Sequence, residues 1–116
     1  MNTERYSVLF LGFTTQQYTA ETIADIWEIS ADKVYREIGI DITGEISMMY
    51  FIGQITQNGE KVTFQIESIR NPNLVKDQSE YQSAYNTVVQ NVRRILGNPL
   101  MRMTVEDIDS FYFGRI

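Results

Sequence analysis

The chain contains no cysteine and no histidine. Without cysteine there is no disulfide framework, no thiolate metal site and no cysteine nucleophile. Without histidine, a catalytic triad of the usual form and an imidazole-ligated metal are both excluded. Proline is scarce, and Gly39, Gly44, Gly53 and Gly59 are too scattered to form a phosphate-cradling loop. No apolar run approaches the roughly 18 residues needed to cross a bilayer. The polar start at residues 1–5 lacks the basic and apolar regions of a secretory signal. These absences predict a cytoplasmic chain with no membrane partner, no cofactor and no metal.

Positive charge is also in short supply, with ten Lys+Arg against fifteen Asp+Glu and a formal net charge of −5. The imbalance is local. Residues 1–46 hold eight acids and three bases, whereas residues 47–116 hold seven of each. An acidic surface repels nucleic acid and anionic lipid at long range. What is present, 43% hydrophobic and 22% charged residues, is the composition of a globular domain. At 116 residues, a single domain spanning 1–116 is expected.

Residues 6–13 (YSVLFLGF) are apolar at nearly every position, as in a central strand covered on both faces. Residues 19–38 read as a helix. Ile23, Ala24, Trp27, Ala31, Val34 and Ile38 fall on one arc, and Gly39 is placed to end it. Residues 45–56 and 60–70 flank Asn58-Gly59, a hairpin signal whose two-residue turn would pair Phe51 with Ile66 and Met49 with Ser68. That register leaves Ile46, Met48, Tyr50 and Ile52 aligned on the opposite, uncovered face. Pro72 punctuates a loop over residues 70–76, and Asp77 with Glu80 has capping-box spacing at the start of a second helix. Gly97 and Pro99 close that helix, residues 100–105 read as a strand, and residues 106–110 interrupt it before Phe111-Tyr112-Phe113. The order β-α-β-β-α-β predicts an α+β, ferredoxin-like domain with both helices on one face of an antiparallel sheet.

Glu21, Asp25, Glu28 and Asp32 follow at spacings of four, three and four, forming an acidic stripe on the first helix. Such a row can imitate phosphates toward a basic nucleic-acid-binding protein. Together with the apolar face of Ile46, Met48, Tyr50 and Ile52, it predicts a non-enzymatic module that binds a protein partner and forms a homodimer. In general character this resembles small acidic phage-encoded inhibitors, including anti-CRISPR proteins, and implies a regulatory or inhibitory role of phage or mobile-element type.

Two alternatives stand beside it. Residues 18–39 (YTAETIADIWEISADKVYREIG) resemble the helix-turn-helix of excisionase-type DNA-binding domains. Ala24, Trp27, Ile29, Ser30, Val34 and Tyr35-Arg36 occupy the matching positions, while Glu28 stands where that turn usually has Gly. The resemblance implies a DNA-binding regulator whose second helix, residues 31–38, turns Lys33, Tyr35 and Arg36 toward the major groove. A small-molecule-binding or accessory subunit of an enzyme is the other alternative, supported by the aromatics alone. No residue pair is singled out as catalytic.

Overall fold

The computed structural model describes residues 1–53 and 61–115. Six elements follow in chain order: β1 (Asn2–Phe13), α1 (Ala20–Ile38), β2 (Glu45–Tyr50), β3 (Val62–Ile69), α2 (Gln78–Ile95) and β4 (Leu100–Asp109). The strands form one sheet in the order β2-β3-β1-β4, with every neighbouring pair antiparallel. This is the expected ferredoxin-like α+β fold. Among the described residues, no helix is long and apolar enough to cross a membrane.

Alternation decides which side of the sheet carries the helices. Tyr6, Val8 and Phe10 of β1 stand beside Ser68, Ile66 and Phe64 of β3 and are fully buried under α1 and α2. Near its end β1 changes phase: after Phe10 pairs with Phe64, the next pair is Phe13 with Val62. Gly12, at φ +88°, supplies the left-handed residue that this bulge needs. Phe13 thereby joins the core, against Phe64 and Tyr18. The other face is mostly polar. Gln65 there donates to the Ser7 hydroxyl at 3.0 Å, and Arg5 lies 3.8 Å from Glu106.

Side-chain and glycine caps close the helix ends. Thr19 accepts the Thr22 amide at the start of α1, and Gly39, at φ +74°, caps its end with its N–H on the Tyr35 carbonyl. Asp77 accepts the Ser79 and Glu80 amides to open α2.

Three sequence expectations need correction. First, α1 runs unbroken through Glu28, so residues 18–39 are not a helix-turn-helix and residues 31–38 are no separate recognition helix. The reason is packing: Ile23, Trp27, Ala31 and Val34 form one continuous buried stripe, which a turn would divide. Lys33, Tyr35 and Arg36 sit exposed on the last turns of this single helix.

Second, the β2–β3 register is displaced by five residues, since Ile66 faces Ile46 where Phe51 was expected. An odd displacement exchanges the faces. Ile46, Met48 and Tyr50 therefore stand opposite the buried Ile66, Phe64 and Val62, on the helix-bearing side. Ile52 lies beyond the strand, 95% exposed. Of the three strand residues, Ile46 packs against the core while Met48 and Tyr50 stay exposed, and the Phe51 amide continues the same register onto the Lys61 carbonyl. The Asn58-Gly59 turn lies outside the described residues.

Third, residues 106–109 continue β4 without interruption, pairing with residues 2–5 of β1. Phe111, Tyr112 and Phe113 follow as exposed side chains outside any strand.

Candidate active site

Beyond the end of α1 the chain turns at Gly39, crosses Trp27 and enters β2 at Glu45. The cleft formed there, of about 980 Å³, is bounded by α1, residues 39–46 and the pair Leu74 and Val75. That volume is within the range of small-molecule sites, roughly 300–1,000 Å³.

The floor is apolar and buried: Trp27, Ile42 and Ile66 are each at most 5% exposed. The Trp27 indole N–H donates to the Ile42 carbonyl at 3.2 Å, and the Ser68 hydroxyl donates to the Thr43 carbonyl. Both bonds hold the 39–44 segment against the core. Gly44 fills a narrow gap, where an added Cβ would stand 2.9 Å from Ile66 Cγ2 and 3.0 Å from Trp27 Nε1. Gly44→Ala must therefore push the two floor residues apart. It is expected to destabilise the fold by about 1–3 kcal/mol, read by chemical denaturation.

The rim is acidic. Glu28 and Asp32 from α1, and Asp41 from the following segment, line the cleft with exposed side chains, and Tyr35 adds an aromatic edge. No Lys or Arg belongs to the lining among the described residues. Asp32 does hold Arg36, at 3.0 Å, one helical turn on. A cavity with a dry floor, aromatic side chains and three rim carboxylates suits an organic cation carrying a flat ring system. Among the described residues no cluster of three or more ligating side chains is arranged to hold a metal. Burial raises the pKa of Tyr81 and Tyr85, so these core hydroxyls stay protonated at neutral pH.

The structure divides the residues singled out in the sequence. Glu28, Asp32 and Ile46 meet at the cleft, and so does Tyr35. Glu21 and Asp25 lie on the exposed side of α1 away from it, and Met48, Tyr50, Ile52, Lys33 and Arg36 do not line it. Sequence reasoning missed Asp41, Gly44, Leu74 and Val75. They lie in two connecting segments with no periodicity, brought together only by the sheet. Trp27 was legible as core, and it also lines the cleft.

Comparison with known proteins bears on the whole chain. A phage SAM lyase in complex with S-methyl-5′-thioadenosine superposes with a TM-score of 0.53 and 12% identity, covering 97% of this chain and 93% of that one. A phage SAM lyase in the apo state gives 0.56 and 13%, covering 97% and 94%. At such identities the likeness establishes the fold. The imidazole glycerol phosphate synthase subunit HisF of Methanosarcina mazei is 32% identical over 74 residues, 63% of this chain. Its counterpart in Methanosarcina acetivorans matches equally. The chain spans about a quarter of the length of these curated relatives, 26% in each case. A family model described as SAM lyase matches residues 1–114. This overturns the expectation of a non-enzymatic regulatory or inhibitory module: the match is to an enzyme family, despite the absence of histidine and cysteine. The chain belongs to the SAM lyase family.

Proposed function

We propose that this chain cleaves S-adenosylmethionine between its sulfonium sulfur and the γ-carbon of its amino-acid arm, releasing S-methyl-5′-thioadenosine. The observation that carries this is the family match over residues 1–114. The cleft is consistent with it in charge and in size. The substrate carries a sulfonium, an ammonium and a carboxylate, a net charge of about +1 at neutral pH, against a rim of Glu28, Asp32 and Asp41.

The chemistry asks little of protein nucleophiles. A sulfonium sulfur leaves as a neutral thioether, so no general acid is required. The substrate's own carboxylate can attack. One of its oxygens bonds to the γ-carbon, the carbon–sulfur electron pair returns to sulfur, and the products are the thioadenosine and homoserine lactone. No proton and no water enters, and one positive and one negative charge cancel.

A step that cancels opposite charges is accelerated by removing water and lowering the local dielectric. Acidic groups beside the sulfonium would instead favour the ground state, since the charge they stabilise is being lost. The cleft separates these demands. Its exposed carboxylates draw the cation in and hold its ammonium at the rim, while Trp27, Ile42 and Ile66 offer a dry floor to the sulfonium and the γ-carbon bonded to it. Holding the carboxylate and γ-carbon in attacking geometry supplies the remaining advantage, as in any intramolecular displacement.

Rapid-mixing binding measurements, completed before turnover, test the binding half. Both S-adenosylmethionine and S-methyl-5′-thioadenosine are expected to bind, and only the affinity of the cation should fall as salt rises. Failure of both to bind, or equal salt dependence for the two, would sink the proposed site.

A further inference from the structure

Four polar side chains that the cleft does not use meet beneath α2. Tyr81 and Tyr85 stand one turn apart on that helix and are buried, 2% and 0% exposed. Both rings pack against Tyr6 of β1, with ring centroids 5.1 and 5.0 Å away. Ser68 of β3 is the strand partner of Tyr6, and it is buried as well. None of the four lines the cleft.

Their hydroxyls are unequally supplied. Tyr6 donates to Glu4 Oε1 at 3.3 Å, a carboxylate that the buried Arg70 already grips through bonds of 2.7 and 2.9 Å. The Ser68 hydroxyl donates to the Thr43 carbonyl. Both of these protons are committed, and both oxygens keep lone pairs that can accept. The Tyr81 and Tyr85 hydroxyls are different: each is shut away from solvent without a hydrogen-bond partner in the protein. The Ser68 hydroxyl acts on that of Tyr81 but no direct bond joins them. Leaving a buried hydroxyl unpaired costs more than a hydrogen bond, once made, contributes. Each such group in a folded protein therefore calls for a partner.

We infer that Tyr81 and Tyr85 hold one buried water between their hydroxyls, with the Ser68 oxygen as its third partner. The site selects water by its chemistry, since it is closed to solvent and offers donors and acceptors in a small space. Buried waters typically make about three hydrogen bonds, the number these residues provide. Side chains four apart on a helix start about 5–6 Å from each other. That span equals two hydrogen bonds of about 2.8 Å end to end. The water ties α2 to β3 and, through Ser68 and the Thr43 carbonyl, to the segment that leads into β2. This assignment is independent of the function proposed above and of where the substrate binds.

Chemical denaturation of Tyr81→Phe, Tyr85→Phe and the double variant tests the site, because the sign of the effect depends on the water. Phenylalanine keeps the ring and removes only the oxygen. With a water bound, each single variant should lower the folding equilibrium constant about 3- to 30-fold through the lost hydrogen bond. The double variant should fall well short of the product of the two losses, because either substitution breaks the same bridge. A high-resolution crystal structure of the wild type should show one oxygen about 2.7–3.0 Å from both hydroxyls. Single variants as stable as wild type, or more stable, would show the hydroxyls to be dry and overturn the site. Losses that multiply in full, or a crystal structure with no oxygen shared by the two tyrosines, would overturn the bridge.

Discussion

The triple variant Glu28→Gln, Asp32→Asn, Asp41→Asn is expected to raise KM for S-adenosylmethionine about 10- to 100-fold while kcat changes by less than about threefold. Each rim carboxylate faces water, so each is assigned only about a two- to fivefold effect on binding a cation. Three such effects multiply, because the charges come from two segments that converge on one opening. Asp32→Asn adds a second penalty by releasing Arg36, now 3.0 Å from that carboxylate, as an unpaired positive charge near the rim. The split between KM and kcat follows from the division of labour in the cleft. In the proposed site, rim charges hold the substrate's ammonium, whereas the sulfonium whose charge is cancelled lies over the apolar floor. Raising salt should increase the wild-type KM and leave that of the triple variant nearly flat. A fall in kcat with constant KM would instead place the carboxylates at the reacting atoms.

Trp27→Ala is expected to have the largest effect on stability, about 3–5 kcal/mol by chemical denaturation. The indole is part of the core cluster and packs tilted against Tyr85, with ring centroids 6.0 Å apart, so truncation opens a cavity beneath both helices. It also leaves the Ile42 carbonyl without the donor it now has. Trp27→Phe separates these effects. It refills most of the volume and should cost about 1–3 kcal/mol, chiefly for the orphaned carbonyl. Its kcat should fall more than its KM rises, because a loosened floor admits water to a step that water slows. A stable Trp27→Phe protein with full kcat would show that the floor does not touch the chemistry.

The buried pair of Glu4 and Arg70 gives a pH signature. Hydrogen bonding from Arg70 holds the Glu4 carboxyl below its ordinary value of 4.5, against an opposing effect of burial. The stability this contributes is fully present above the ordinary carboxylate range and is lost as pH falls through the lowered value. Glu4→Gln should therefore flatten the acid limb of a Tm-against-pH curve, starting from a lower plateau. An acid limb as steep as that of wild type would place the responsible group elsewhere.

Much of the architecture was legible because it rests on local chemistry. Gly39 and Asp77 mark helix ends by capping, and the stripe of Ile23, Trp27, Ala31 and Val34 states both a helix and its buried side. The β2–β3 register was not legible. Asn58-Gly59 suggested a two-residue turn, but the partners of Ile46, Met48 and Tyr50 are chosen by the buried residues of β3. That choice moved an apparent interaction surface to the other side of the sheet. The cleft was half legible: Glu28 and Asp32 were singled out for their charge, but as part of a stripe whose other members, Glu21 and Asp25, lie away from it. Asp41, Leu74 and Val75 carried no signal, since connecting segments have no period to read.

The missing histidine and cysteine misled most, through an assumption about the substrate. They exclude enzymes that must activate a poor leaving group with those side chains. A sulfonium is already activated, so a site for it needs binding, orientation and dryness, none of which has a sequence motif.

The most direct measurement is the mass spectrum of products after the purified protein meets S-adenosylmethionine in buffer without other reactants. One S-methyl-5′-thioadenosine for each substrate consumed, accompanied by homoserine lactone, is the expected result. Unchanged substrate, or S-adenosylhomocysteine in place of the thioadenosine, would contradict cleavage at the γ-carbon.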